Sequence, residues 1–474
     1  MLHSTRQCRN AVALDFSLVN YEWTSYIIRL NKKGFKMSKP PSSNNKKLMT
    51  SPKGITAISV RGYKSLYDEC RFEIRPLTIL AGANSSGKSS AIQPLLLLKQ
   101  TAEALYKAPA LLLNGPNVRF TSIEQFFSKI VRKKLADEII IKLEIENGQS
   151  LFQRYRKLPD QELEIAETTY TSQSERISLR PAMKHDEIVA AFPGIETSKS
   201  LQWEVRQAKC FLSIHGKHND DKLKTRPFYL IGSQFEAYIR ELIHVPGLRG
   251  NPERTYKTSA ISTEFPGTFE NYVASVIHYW QVSENNRLRQ LSSALASLGL
   301  TWKVEAKRVD NTQVELRVGR LSKLARSSLT DVVSIADVGF GMSQILPVLV
   351  ALLAAEPGQM VYLEQPEIHL HPRAQVALAQ VLADAANRGV RVVAETHSSL
   401  LLLGVQSLVA EDKLSPEKIK LHWFKRRADG VTEVTSADLE TDGAFGDWPE
   451  DFAEVALETE SRYIEAAALS HRKK

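Results

Sequence analysis

The sequence predicts an α/β fold: a mixed sheet whose two halves are separated by an inserted strand-rich and helical region. Three observations predict it. The apolar run Leu77-Thr78-Ile79-Leu80 leads through the turn Gly82-Ala83-Asn84-Ser85-Ser86-Gly87-Lys88-Ser89 into a helical pattern from Ser90 to Gln100. Far downstream, Met360–Leu363 and Val390–Ala394 are short buried-strand patterns that both end in charged residues. Between these halves, residues 137–230 alternate apolar and polar positions as half-exposed strands do.

The chain of 474 residues is long enough for two or three domains and a large core. Residues 1–54 show little periodicity, and Lys39 to Lys47 is a Lys, Pro, Ser and Asn run unsuited to a core. Nine basic residues against Asp15 and Glu22 give residues 1–50 a net charge of +7 of the total +9, leaving +2 for the other 424 residues. Bulk charge therefore shows no nucleic-acid footprint over the body, although a local patch stays open. Asp15 and Glu22 interrupt the opening apolar stretch, which argues against a signal peptide, and Met37 and Met49 are alternative starts. The lead is read as poorly ordered and without chemistry. No apolar run reaches the roughly 18 residues of a membrane helix. Cys8, Cys70 and Cys210 make neither a disulfide framework nor a zinc ribbon, which suits a reducing cytoplasm.

In chain order, Ile55–Val60 alternates like a strand, Arg61–Leu66 is a turn, and Arg71–Ile74 and Leu77–Ala81 are further strands. The turn that follows fits G-x-x-x-x-G-K-[ST], which chance yields about once in fifty chains of this length. A strand, a glycine turn and a helix start aim backbone N–H groups and the positive end of a helix dipole at an anion. The predicted phosphate set is Gly82, Asn84, Ser85, Ser86, Gly87, Lys88, Ser89 and Ser90. Lys88 would reach the β- and γ-phosphates of a nucleoside triphosphate, and the Ser89 hydroxyl would hold Mg²⁺.

Ile139–Ile145, Ser200–Val205 and Lys209–Ile214 read as strands and Lys217–Lys224 as a charged loop, with no catalytic pattern among them. A helix is expected over Asn285–Gly299 and strands over Val304–Val318. Asp337–Gln344 is a second glycine-rich turn, feeding the apolar helix Ile345–Ala355 and making a second anion site. The later strands end in Glu364-Gln365-Pro366-Glu367-Ile368-His369-Leu370-His371-Pro372 and in Glu395-Thr396-His397-Ser398. His369 and His371 lack the further ligands a metal site needs. A strand at Lys418–Lys425 and a helix at Glu454–Leu469 complete the chain.

These motifs, in this order, resemble the ABC-type ATPases of the SMC, RecF and OLD group. The likeness rests on R-G-Y-K-S-L at Arg61–Leu66, the P-loop, V-P-G-L-R-G-N-P-E-R at Val245–Arg254, E-Q-P-E-I-H-L-H-P and E-T-H-S, and covers residues 55–130 and 243–425. Gly446–Phe452 is similar to the tail of standalone bacterial members that lack a Toprim domain. The resemblance implies a P-loop NTPase of ABC type binding ATP and Mg²⁺. It divides the chain into a lead (1–54), an N-terminal lobe with Walker A (55–130), an inserted arm region (131–242), a C-terminal lobe (243–425) and a tail (426–474). It implies a homo-oligomer of ATP-sandwich dimers, in which Gly339, Gly341 and Ser343 cover the γ-phosphate held by the other copy. Glu364 takes the place of the Walker B aspartate and anchors Mg²⁺, Gln365 takes that of the catalytic glutamate, and His397 is the switch histidine. Gln125 or Gln100 is the glutamine that watches Mg²⁺ and the attacking water.

The departures from the family pattern carry information. The signature turn is not worded L-S-G-G-Q, and Pro246 and Gly247 stand in exchanged order. A neutral amide at Gln365 orients water but cannot accept its proton, although some GTPases position water with a glutamine. Two readings follow: slow hydrolysis with a long-lived ATP state, or hydrolysis helped by His397, Glu367 or Glu395. Arg249 and Arg254 either meet phosphate or a neighbouring subunit, or brace a loop through Arg–Glu pairs. No nuclease ligand cluster can be placed, so a separate effector, a nuclease or toxin, is the expected partner. The functional expectation is the ATPase sensor or scaffold subunit of a bacterial antiphage or anti-plasmid defence system. The alternative is a RecF- or SMC-like repair ATPase gripping duplex DNA, which the near-neutral body disfavours. A membrane transporter is disfavoured as well.

Overall fold

The computed structural model describes residues 54–446 and 461–464, apart from 106–108, 132, 134, 160–161, 193–194, 196–200, 219–227, 231 and 321–330. The lead up to residue 53, most of the loop Lys217–Lys224 and the segment Asp447–Phe452 lie outside the described residues. Of the helix expected over Glu454–Leu469 only 461–464 are described, and they are helical.

Strands β1 (Ile55–Arg61) and β2 (Cys70–Glu73) form an antiparallel hairpin, while β3 (Leu77–Gly82) leaves for another sheet. The hairpin is extended by β4 (Glu138–Ile145), β5 (Ser150–Lys157), β6 (Leu163–Thr171) and β7 (Arg176–Leu179) into a six-stranded antiparallel sheet, β2-β1-β4-β5-β6-β7. Every second residue of β4 is buried, the pattern of a sheet covered on one face. This sheet runs across the 130/131 boundary, so the first lobe and the start of the inserted region share it. β8 (Leu201–Ala208), β9 (Phe211–His218) and β10 (Phe228–Leu230) form a separate three-stranded sheet.

The second half supplies β11 (Ile243–Val245) and a small antiparallel sheet around β14 (Gln313–Gly319), which pairs with β12 (Tyr256–Lys257), β13 (Val304–Arg308) and β15 (Val332–Ser334). It then supplies β16 (Met360–Glu364), β17 (Arg391–Thr396), β18 (Ile419–Arg426) and β19 (Thr432–Ala437). With β3 these complete the mixed central sheet β11-β16-β17-β3-β18-β19, in which all but the antiparallel edge strand β19 run parallel. The strands most distant in sequence thus become neighbours, with β3 between β17 and β18.

Helices α1 (Gln93–Ala102), α2 (His185–Ala191), α3 (Ser233–Arg240), α4 (Val273–Val282), α5 (Asn286–Ser297), α6 (Phe340–Ala354), α7 (Pro372–Asn387) and α8 (Ser399–Ala410) cover the sheets. The central strands are buried at nearly every position because both of their faces are covered. Alternate residues serve two cores. Val361, Leu363, Val392, Ala394 and Leu421 pack with α4–α8, whereas Met360, Tyr362, Val393 and Phe424 pack with α1 and the antiparallel sheet. No helix among the described residues is long and apolar enough to cross a membrane.

One local difference from the sequence reading has a clear cause. The helix after the P-loop is not continuous: Lys88–Ala91 is a short 3₁₀ turn, and α1 begins at Gln93. Pro94 has no N–H to donate and its ring crowds the carbonyl four residues back, so the α-helix begins just before it, with Pro94 in the first turn.

Candidate functional site

All five parallel strands end at the same edge of the central sheet, where open α/β sheets bind ligands. A cleft of about 310 Å³ opens there, lined by Asn84, Ser85, Gly87, Lys88, Ser89 and Ser90 of the loop, by Lys64, Ser65, Gln93 and Arg426 around it, and by Gln365, Glu395 and His397 at the ends of β16 and β17.

The loop between β3 and α1 requires its glycines. Gly82 (φ +143°) and Gly87 (φ +105°) adopt conformations that side-chain-bearing residues avoid, and a Cβ on them would stand 2.3 Å from the Phe424 carbonyl oxygen and 2.5 Å from Thr432 Oγ1. Ser85 is also left-handed, with φ +61°. Thr432 braces the loop from beneath: its hydroxyl donates to the Ser86 carbonyl (2.6 Å) and shares a hydrogen bond with Ser65 Oγ (2.7 Å). Ser86 is buried below the cleft with its hydroxyl unpartnered. Lys88 is also buried and donates to the carbonyls of Gly82 (3.0 Å) and Ala83 (2.9 Å). Burial holds its ammonium below the usual lysine pKa, opposed by Glu395 and Glu367. Lys64, Lys88 and Arg426 face the cleft against one lining carboxylate, Glu395, which gives the cleft a cationic balance suited to a polyanion.

The two carboxylates at the strand ends behave differently. Ser89 Oγ donates to Glu395 Oε2 (2.9 Å), and the Tyr362 hydroxyl donates to Glu395 Oε1. Burial, reinforced by the nearby Glu364 charge, pushes the Glu395 carboxyl up to about 7 against the pull of these hydrogen bonds and Lys88. Glu364, expected to serve Mg²⁺, does not line the cleft. Its Oε1 lies 3.2 Å from His244 Nε2, and its Oε2 accepts from the Gly247 amide (3.0 Å). Burial raises the Glu364 pKa, but His244, the Gly247 amide and Arg249 outweigh it, and the net shift is downward. His244 stacks on Tyr362 (5.4 Å between centroids) and takes a hydrogen bond on Nδ1 from Asn117 Nδ2 (3.1 Å), which leaves Nε2–H to face Glu364.

Gln365 reaches the cleft with a left-handed backbone, φ +44°. Its N–H donates to the Glu395 carbonyl (3.0 Å) and its carbonyl accepts from Arg249 Nη2 (3.2 Å). Arg249 also donates to the carbonyls of Glu364 (2.7 Å) and Gln344 (3.0 Å), tying the start of α6 to the end of β16. Burial lowers its guanidinium pKa to about 10. Arg254 is exposed and paired with Asp337 at 2.8 Å. Both arginines therefore brace backbone or loop here, and neither lines the cleft. His397 does line it. Its amide donates to Glu367 Oε1 (3.1 Å), and burial with the Lys88 charge keeps its imidazole pKa below normal.

Neither glutamine expected to watch the metal reaches the cleft. Gln125 is exposed, and its amide is engaged on both sides with Thr121. Gln100 is buried, accepting from Val118 N (2.9 Å) and donating to the Leu112 and Val118 carbonyls, and so pins the loop after α1. Gln93 lines the cleft instead, its Oε1 accepting from Lys64 Nζ (2.6 Å) and the Tyr63 hydroxyl (3.2 Å). Sequence reasoning missed Gln93, Lys64, His244 and Arg426. Of these only Lys64 carried a signal, the lysine of the R-G-Y-K-S-L turn.

Gly339, Gly341 and Ser343 surround the N-terminus of α6, and none lines the cleft. Gly339 and Phe340 are exposed, and Ser343 Oγ donates to the Phe340 carbonyl (2.9 Å). A Cβ on Gly341 would stand 3.0 Å from the His369 carbonyl oxygen, so this turn packs on the segment after β16. His369 and His371 are exposed, and His371 Nδ1 caps α7 by accepting from Arg373 N (3.3 Å). No group of three or more His, Cys, Asp or Glu among the described residues could hold a metal alone. The hard-oxygen pair of Ser89 and Glu395 beside Lys88 does fit Mg²⁺ delivered with a phosphate, since Mg²⁺ is held by few protein oxygens together with phosphates and waters.

Residues 226–403 match the family described as "AAA domain, putative AbiEii toxin, Type IV TA system". No curated protein shows significant similarity to the chain. Among solved structures, the chain is similar to an SMC head bound to the C-winged helix domain of ScpA (TM-score 0.45, 14% identity, covering 82% of this chain and 98% of that one). It is also similar to the Smc head with an extended coiled coil bound to the C-terminal domain of ScpA from Pyrococcus furiosus (0.42, 12%, 88% and 100%). A third is the SMC head domain from Thermotoga maritima (0.38, 10%, 82% and 99%). The mixed central sheet with a glycine-built phosphate loop between β3 and α1 is a P-loop nucleotide-binding fold, and the family match spans α6, β16 and β17 of it.

Proposed function

We propose that the chain is an ATP-operated clasp that hydrolyses slowly. The observation that carries this reading is the neutral Gln365 at the mouth of a cationic Walker A cleft. Lys88 and the loop amides bind the phosphates, and Ser89 with a neighbouring carboxylate holds the Mg²⁺ that offsets their charge. The Gln365 amide and His397 orient water, but the usual carboxylate base is missing, so the bound state outlasts the encounter. Gly339 and Phe340, exposed at the start of α6, lie outside the cleft of their own chain, and the natural occupant opposite them is the nucleotide of a second copy. ATP then drives a conformational change because it binds the closed pair better than the open one.

In this proposal the dimer is the ATPase sensor or scaffold of a bacterial antiphage or anti-plasmid defence system in the cytoplasm, holding a separate nuclease or toxin. The toxin–antitoxin wording of the matched family supports that setting. The test is sedimentation of the full chain with and without a non-hydrolysable ATP analogue. Wild type should shift from monomer to dimer, and Lys88→Ala and Phe340→Asp should not. A wild type that binds the analogue and stays monomeric would refute the clasp.

A further inference from the structure

The resemblance assigns the metal-serving carboxylate to Glu364, but the side chains do not follow that assignment. Glu364 and Glu395 are register partners on adjacent parallel strands, β16 and β17, so their side chains leave the sheet side by side. Glu364 has both oxygens engaged behind the cleft, one by His244 and one by the Gly247 amide. Turning it toward Ser89 would leave the part-buried Gly247 amide and the N–H of the buried His244 without acceptors, and each such loss carries a desolvation cost. Glu395 is the carboxylate that lines the cleft, directly hydrogen-bonded to the Walker A serine, with its second oxygen oriented by Tyr362.

We propose that Glu395, at the end of β17, is the acidic residue that serves the Ser89-held Mg²⁺, and that Glu364 is a structural anion held by His244 and Gly247. The proposal rests on the nucleotide reading above and goes beyond it by moving the metal-serving role one strand nearer to the P-loop. Glu395 sits between Ser89 and Tyr362 and accepts from both hydroxyls. A Mg²⁺ at Ser89 therefore finds a fixed carboxylate ready to bind it or to accept from one of its waters. Loss of such an outer-shell partner typically lowers metal affinity by about 10–100-fold.

The test uses the full chain and a fluorescent non-hydrolysable ATP analogue, titrated first without divalent cation and then with Mg²⁺ or Mn²⁺, with Mn²⁺ also followed by its paramagnetic resonance signal. Wild type, Glu395→Gln and Glu364→Gln should all bind the analogue without metal. Glu395→Gln should lose about 10–100-fold in Mn²⁺ affinity. Glu395→Asp, which keeps the charge, should recover part of that loss. Glu364→Gln should retain the wild-type metal dependence while melting at a lower temperature. Loss of metal affinity in Glu364→Gln, with or without a loss in Glu395→Gln, overturns the assignment. A wild type that fails to bind the analogue even without metal refutes the nucleotide reading itself.

Discussion

Replacing Glu395 by Gln should stabilise the nucleotide-free protein at alkaline pH and leave it unchanged in mild acid. The folded state holds the Glu395 carboxyl at about 7 against an ordinary 4.5, chiefly through burial and the adjacent Glu364 charge. Below pH 4.5 the residue is protonated both folded and unfolded, and it contributes no penalty. As pH rises through 4.5 to 7 the unfolded chain releases this proton while the folded chain retains it, so stability falls across that window and the loss is complete above pH 7. The interval corresponds to about 3 kcal/mol. Gln keeps the shape and can still accept from Tyr362, but it has no charge to bury. Thermal melts of both proteins at pH 5 and pH 8 read the effect. The variant should melt within about 1 °C of wild type at pH 5 and about 3–6 °C higher at pH 8. An equal gap between the two proteins at both pH values would refute the claim that burial raises this carboxyl above its ordinary range.

Three further outcomes follow from the same geometry. Lys88→Ala removes the one buried ammonium of the loop and should weaken analogue binding by about 10–100-fold in equilibrium titration, the loss of one charge-assisted phosphate contact. Arg249→Ala strands the buried Gln344 carbonyl and the part-buried carbonyls of Glu364 and Gln365. It should cost about 3 kcal/mol or more in urea unfolding, and Arg249→Lys should restore only part of that because it lacks the planar fork. Gly87→Ala puts a Cβ into Thr432 and Ser65 at a left-handed position. It should abolish analogue binding while the far-ultraviolet circular dichroism stays native.

Much of this site was legible in the chain because its parts are local. The P-loop needs glycine at Gly82 and Gly87 for backbone reasons, and a serine and lysine at set offsets, so spacing alone reveals it. The strands of the central sheet were legible as apolar runs, since parallel strands bury both faces. What could not be read is where side chains turn once distant segments meet. Glu364 is drawn from the cleft by His244 and Gly247, which lie more than a hundred residues earlier in the chain. Gln93, Lys64 and Arg426 reach the cleft only because β18 pairs with β3 and the Tyr63–Leu66 turn folds over α1. Gln100 and Gln125 had the right residue type at a plausible distance along the chain, but the first is consumed by the loop after α1 and the second by Thr121. The helix break at Ile92 was visible in principle, since Pro94 sits where the motif places a continuous helix.

The central claim is that Gln365 makes the Walker A cleft hold ATP longer than it spends it. The most direct measurement is the rate of phosphate release by wild type and by Gln365→Glu under single-turnover conditions, with protein in excess of ATP. A restored general base is worth about 100-fold or more, so the variant should release phosphate at least about tenfold faster and its ATP-bound dimer should dissociate sooner. Equal rates in the two proteins would contradict the account.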